Sequence, residues 1–260
     1  MIDWLYNLPE ATILVLTIVL IVGLMAGLPF AVRRLPWMKP SDFNTDFVVR
    51  TQATLFTMSS LVLTFTLVQA DINYRQADAL VTNESSRIDQ LDRLLTRYGD
   101  ADVAKARPLL RTYATSVVKD EWPAMLRDQR HENTTQTFAA LSRRILTINP
   151  TNERQNLVLG EMFKTLDTMA DVRAQRLSIV TIRLPPLYWW VVVIAIAMLL
   201  FVSSSIEQTP FRRTILCAQA AVVGGFLGFV FIMDQPFRGE TAIQPDSIAK
   251  SIERMDTRTQ

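Results

Sequence analysis

The chain has 260 residues, 27 of them Lys or Arg and 25 Asp or Glu, giving a net charge of +2, with 49% hydrophobic residues and a single cysteine. A balance so near neutrality excludes a nucleic-acid binder, which needs a concentrated basic face to neutralise phosphates. With only Cys217, an internal disulfide is excluded as well.

Residues 11–32 carry no charge, and the same holds for 51–70, 184–206 and 214–233; the runs are 22, 20, 23 and 20 residues long. A helix rises about 1.5 Å per residue, so each run just covers a hydrocarbon core of roughly 30 Å. The chain is therefore expected to be an all-α integral membrane protein with four transmembrane helices, in contact with membrane lipid. Met1 to Trp4 supply no positive n-region and no small-residue cleavage signal follows, so 11–32 reads as a retained span and not as a signal peptide. Within it, Gly23 and Gly27 place two small residues on one helix face, where another helix can approach closely.

The second run, 51–70, is polar without being charged. Thr54, Thr57, Ser60 and Thr64 fall on one side of a helical wheel; Thr51, Gln52, Ser59, Thr66 and Gln69 fall on the opposite side. A broad lipid-facing surface would not carry these groups, so this helix is expected to be central in an assembly. Hydroxyls that bond back to their own helix or across to another would explain the pattern structurally. The functional reading is that one stripe lines a water-filled path, for which Thr54, Thr57, Ser60 and Thr64 are the pore-lining candidates. The span holds no charge, which favours passive permeation over a proton relay or coupled transport.

Residues 71–183 form an insert holding 32 of the 52 charged residues, a water-facing module of ordinary domain size. Strand signals are missing. Apolar residues recur at three- and four-residue steps, as in Ile88, Leu91, Leu95 and Tyr98, and in Leu159, Met162, Leu166 and Met169. Punctuation at Gly99-Asp100, at Pro108, around 131–133 and at Asn149-Pro150 gives four predicted helices, near 71–98, 101–128, 134–147 and 150–183. The first and last are expected to run on into the second and third spans. Asp89 with Arg93 and Glu161 with Lys164 read as pairs on a solvated surface.

Pro185-Pro186 mark a kink or break at the start of the third span, and Tyr188, Trp189 and Trp190 follow at headgroup level. The fourth span repeats the small-residue pattern in Ala220, Gly224 and Gly228. Its end, Asp234-Gln235-Pro236-Phe237-Arg238-Gly239, reads as a helix stop and turn. Residues 234–260 form a tail whose Ile248, Ile252 and Met255 share one face of a short helix, suited to lie on the membrane or to dock on the insert. Six basic residues (Arg33, Arg34, Lys39, Arg50, Arg212 and Arg213) lie in the two short loops. By the positive-inside rule those loops are cytoplasmic, with both termini and the insert on the opposite side.

Nothing in the sequence supplies a catalytic constellation or a cofactor site. His131, the one histidine, has no second His or Cys with which to share a metal and reads as a solvated loop residue. Gly-rich phosphate loops, nucleophile elbows and His-Glu-x-x-His are absent. No enzyme is expected.

Several segments resemble one family. They are Leu63 to Ala70 followed by Asn73-Tyr74-Arg75 and Ala79 to Glu84; Leu110-Arg111-Thr112-Tyr113 with Asp120-Glu121-Trp122; and Met233-Asp-Gln-Pro-Phe-Arg-Gly239. Together they are similar to the bestrophin-like domain family of bacterial inner-membrane proteins. Its motif residues correspond here to Tyr74, Arg75, Glu84, Asp234, Pro236, Phe237 and Gly239. The chain departs from the family at Ala77-Asp78, where paired arginines are frequent, and at Ser85-Ser86, where Ala-Asn is frequent. A more distant resemblance to bestrophins implies a pentameric homo-oligomer passing an anion such as chloride. It would put Phe56 and Phe65 at an apolar constriction and the insert inside the cell, against the charge-based orientation. The alternative function is a non-conducting scaffold or sensor whose insert binds a partner or ligand.

Overall fold

The structure, a computed structural model, describes residues 8–32, 42–127, 131–180, 183–207 and 209–258. Met1 to Trp4, Arg33, Arg34 and Lys39, on which the leader and orientation arguments drew, lie outside them. Among the described residues ten α-helices follow in order: α1 (Glu10–Val32), α2 (Asp42–Tyr98), α3 (Ala101–Ala104), α4 (Ala106–Ser116), α5 (Trp122–Leu126), α6 (Glu132–Leu146), α7 (Glu153–Ile179), α8 (Pro186–Ser204), α9 (Pro210–Met233) and α10 (Asp246–Thr257). There is no strand among the described residues. The chain divides into two compact units: Met1–Tyr74 with Arg183–Thr241, and Arg75–Ile182 with Ala242–Gln260.

The first unit gathers the helices long and apolar enough to cross a membrane: α1, the first part of α2, α8 and α9. Their shared core includes Met25 of α1, Leu63 of α2, Val192 and Leu199 of α8, and Ala220 and Val223 of α9. Outward, Val19, Phe30, Val193, Ile194, Val222 and Phe226 are exposed, an apolar surface that water would penalise and hydrocarbon would not. Pro186 and Pro210 open α8 and α9 at positions where a missing N–H costs nothing. The Thr209 hydroxyl accepts from the Arg212 N–H at 3.3 Å to cap α9.

Gly224 and Gly228 show why α9 carries small residues. A Cβ at Gly224 would stand 2.8 Å from Ile18 Cα and 2.9 Å from the Thr17 carbonyl oxygen, and one at Gly228 would collide with the Thr17 hydroxyl. Helices α1 and α9 thus pack backbone to backbone. Gly23 and Gly27 meet nothing within 4 Å of such a Cβ.

The second unit is a helical domain whose fully buried apolar residues include Ile88 and Leu91 of α2, Leu110 of α4, Ile145 of α6, Met162 of α7 and Ile248 of α10. Helix α2 stops at Gly99, whose φ of +77° is the left-handed conformation glycine adopts without strain. The single helix predicted over 101–128 is broken twice. Pro108 has no N–H for the Ala104 carbonyl, and the helix is interrupted at Lys105. Pro123 likewise cannot bond to Lys119, and the turn Val117–Glu121 widens into a π-helix in which the Trp122 N–H reaches back to the Val117 carbonyl.

Two further expectations change. Helix α2 runs unbroken over 57 residues, but α7 ends at Ile179 and does not continue into α8. Pro185 is extended (φ −51°, ψ 141°), because a residue before proline is driven out of the helical region. The tail divides at Thr241, and α10 belongs to the second unit.

Candidate functional site

The two polar arcs of α2 have different environments. On the inner arc, Gln52 donates to the Gln219 side-chain oxygen at 2.7 Å, Ser59 donates to the Ala195 carbonyl at 3.2 Å, and Thr66 bonds back to Val62 at 2.8 Å. All three residues are buried. On the outer arc, Thr54, Thr57 and Thr64 are exposed and Ser60 is half-buried. Thr57, Ser60 and Thr64 lie within about 60° of one another around the helix, at 100° per residue. Beside them runs an apolar flank of Met58, Leu61, Phe65 and Val68, all exposed.

Phe56 and Phe65 do not share a face. Nine residues make two and a half turns, and Phe56 packs against the apolar cluster while Phe65 is 63% exposed. The two rings therefore point to different sides of α2. Phe65 instead borders an apolar cleft of about 280 Å³ with Val62 and Thr66 of α2 and Leu187, Tyr188 and Val191 of α8.

In the second unit one motif residue, Glu84, sits in a buried cluster. Glu84 of α2 is fully buried and accepts from the Tyr113 hydroxyl at 2.9 Å and from Arg176 Nε at 2.5 Å. Arg176, also fully buried, reaches Glu121 at 2.5 Å and Met125 Sδ at 3.2 Å, and its guanidinium stands 5.5 Å from the centre of the Trp122 ring. Arg173 donates to both oxygens of Glu121 and, at 3.2 Å, to the Thr135 hydroxyl. Two carboxylates face two guanidinium groups, so the cluster is neutral.

Burial would strip the proton from Arg176, but the Glu84 and Glu121 charges outweigh it and raise its pKa. Burial would likewise raise Glu121; the hydrogen bond from Arg173 and the Arg176 charge hold it below the ordinary carboxylate value. Burial, then the Glu84 charge, pushes the Tyr113 phenol well above its usual range. The cluster holds α2, α4 and α7 in register. The π turn matters to it, because Glu121 is the last residue of that turn.

A second cluster ties down α10. Asp92, fully buried, accepts from Arg107 at 2.8 Å and from Arg258 at 2.7 Å. Arg254 pairs with Asp89 at 2.6 Å, and Ser85 lies 2.7 Å from the Ser251 hydroxyl. Asp89 is therefore no solvated partner of Arg93: it is 8% exposed and binds α10. His131 is half-buried just before α6, 3.3 Å from the Thr134 hydroxyl. Among the described residues no group of three or more His, Cys, Asp or Glu could hold a metal ion.

The closing motif is a clasp within the first unit. Asp234 accepts from the Leu184 N–H at 2.7 Å, while Pro236 and Phe237 are buried. Gly239 has φ +93°, and a Cβ there would lie 3.2 Å from Glu10 Oε1. That carboxylate accepts from the Thr241 N–H at 2.6 Å and hydroxyl at 2.7 Å, and Tyr74 donates to the Thr241 carbonyl at 3.0 Å. Arg75 is exposed.

A family model described as the bestrophin-like domain matches residues 18–248. The chain belongs to the bestrophin-like family. Among solved structures, this bestrophin-like chain is similar to a bacterial bestrophin homologue from Klebsiella pneumoniae carrying one substitution, at 13% identity and TM-score 0.71, over 95% of this chain and 99% of that one. It is also similar to a crystallised membrane protein variant, at 14% identity and TM-score 0.69, with the same coverages. At these identities the likeness is one of fold. A comparison with curated proteins finds no match. The bestrophin-like chain is thus a multi-pass, all-α membrane protein with four membrane-crossing helices.

Two partners of the buried cluster, Arg173 and Arg176, were missed in the sequence. Their signal was present: the apolar stripe Leu159, Met162, Leu166 and Met169 of α7, continued by steps of four and three, arrives at both arginines.

Proposed function

We propose that this chain assembles with copies of itself into a ring, with α2 near the axis, and that the ring passes a small ion or solute passively. The observation that carries this reading is the pair of unlike polar arcs on α2. The inner arc is satisfied within the subunit, while the outer one leaves Thr54, Thr57 and Thr64 on the surface of a membrane-crossing helix. Acyl chains gain nothing from that surface; water or a neighbouring copy does. The run 51–70 holds no titratable side chain, which supports permeation without proton coupling.

The bestrophin resemblance supports a five-membered ring and an anion such as chloride. The charged second unit is proposed to stand in water, on the same side of an inner membrane as both termini. Purified protein in liposomes is expected to carry ions above the leak of empty vesicles. No flux of any ion, from protein shown to be folded and oligomeric, would overturn the reading.

A second reading is favoured by Leu146 of α6 and Leu157 of α7, which are 65% and 68% exposed. In it the protein is a non-conducting scaffold or sensor whose second unit binds a partner. Replacing Thr57, Ser60 and Thr64 with valine would then leave function intact, while changing Leu146 and Leu157 to serine would abolish it.

A further inference from the structure

The apolar cleft between α2 and α8 lies among the membrane-crossing helices, and its α2 wall runs on into a polar end. Val62, Thr66, Gln69 and Asn73 follow one another at steps of four, three and four, which keeps them within about 60° on one side of α2. Val62 and Thr66 line the cleft, about 280 Å³ in volume, together with Phe65, Leu187, Tyr188 and Val191. The Thr66 hydroxyl is spent on the Val62 carbonyl at 2.8 Å and so turns no proton into the cleft.

One and two turns further along α2, Gln69 and Asn73 are half-buried. Gln69 donates to the Asn73 side-chain oxygen at 3.1 Å, which leaves the Asn73 amide N–H groups for another acceptor. Beside them stands the extended segment that leads into α8. Leu184 packs in one buried cluster with Ala70 of α2, and Arg183 just before it is exposed. Asp234 is turned inward to the Leu184 N–H and is 7% exposed, so the outward charge of this segment is the guanidinium.

An apolar slot with amide and guanidinium donors at its water-facing end matches a molecule with a hydrocarbon chain and a phosphate head. Guanidinium binds phosphate oxygens through paired N–H groups. The volume suits a single chain. At about 30 Å³ per water-sized group, the cleft takes on the order of nine methylenes. A helix from another copy is about 10–12 Å across with its side chains and needs a wider groove.

We propose that the cleft between α2 and α8 holds one acyl chain of a membrane phospholipid, with the phosphate at Arg183 and Asn73. The site goes beyond the channel reading and is independent of it, since it would fill whether or not the protein conducts.

The test uses full-length protein in mild detergent, washed free of loosely held lipid and incubated with dioleoylphosphatidylglycerol. Native mass spectrometry then counts the phospholipid kept per chain, and the expected count is one. Val191→Phe, which grows a ring into the cleft, should abolish retention. Val19→Phe, on the exposed side of α1, should leave it unchanged. Arg183→Gln with Asn73→Ala spares the cleft walls and should weaken retention by about tenfold or more, the worth of one charge-assisted bond. Dioleoylglycerol, which lacks the phosphate, should bind the unaltered protein just as weakly. Circular dichroism of each variant separates lost binding from lost fold, and the Arg183 and Asn73 variant carries the test if Val191→Phe does not fold. Equal retention by Val191→Phe and Val19→Phe would make the lipid a general coat and overturn the site. Retention unaffected by the loss of Arg183 and Asn73, or equal for dioleoylglycerol, would overturn the phosphate assignment. A Val191→Phe protein that loses its oligomer but keeps its lipid would give the cleft to a second copy and overturn the proposal.

Discussion

Arg176 and Glu84, 92 residues apart in sequence, meet at 2.5 Å with both side chains wholly buried. Neither could tolerate that environment alone. Removing one partner leaves an uncompensated charge away from water, which typically costs about 3–5 kcal/mol. Arg176→Met is accordingly expected to lower the stability of the second unit by that amount. Glu84→Leu combined with Arg176→Met should cost less than the two single changes added together. Thermal unfolding of the purified protein in detergent checks both.

The Glu121 carboxyl is held below its ordinary value by Arg173 and Arg176 against the opposing effect of burial. A group whose folded pKa is depressed stabilises above its unfolded pKa and loses that contribution as pH falls through the folded one. The loss should begin below about pH 4.5, the ordinary glutamate value. Glu121→Gln should flatten that limb of a stability-against-pH curve and lower the plateau at neutral pH. An unchanged acid limb would assign the acid sensitivity elsewhere.

Glycine-to-alanine changes should divide by position. At Gly224 the added carbon meets backbone of α1 at 2.8 Å, whereas at Gly23 and Gly27 it meets nothing within 4 Å. Gly224→Ala is expected to destabilise the first unit by about 1–3 kcal/mol. Gly23→Ala and Gly27→Ala should be neutral or slightly stabilising in the isolated subunit. Stability in detergent, measured beside oligomer content, tests the contrast. A loss of oligomer at Gly23 or Gly27 without loss of fold would place that face between copies.

The four spans were legible because they depend on local quantities: the absence of charge and a length that matches hydrocarbon. The two polar arcs of α2 were legible as arcs for the same reason. Which arc turns inward was not, since that is decided by Gln219 and the Ala195 carbonyl, far along the chain. The π turn was hidden because its cause, Pro123, acts one turn earlier than it stands. Asp89 was misread for a related reason: Arg93 lies at the favourable helical spacing, but Arg254 of α10 takes the carboxylate. Helix α10 was expected either on the membrane or on the insert, and Ser85, Asp89 and Asp92 decide for the insert.

Asp92→Asn should loosen α10 in particular. The change weakens the bonds from Arg107 and Arg258 together, at about 1.5–3 kcal/mol for each charge-assisted bond. Hydrogen exchange within Asp246–Thr257 is expected to accelerate while exchange in α7 stays as it was. Equal acceleration across the whole second unit would show that Asp92 serves the domain core and not the α10 attachment.

The outer arc of α2 is proposed to face a water-filled path. Single cysteines at positions 57, 59, 63 and 64, in a background with Cys217 changed to serine, can be treated with a membrane-impermeant thiol reagent in proteoliposomes. Rapid reaction and loss of ion flux are expected at positions 57 and 64, with protection at 59 and 63, which are buried within the subunit. Protection at 57 and 64 in a folded, conducting assembly would contradict it.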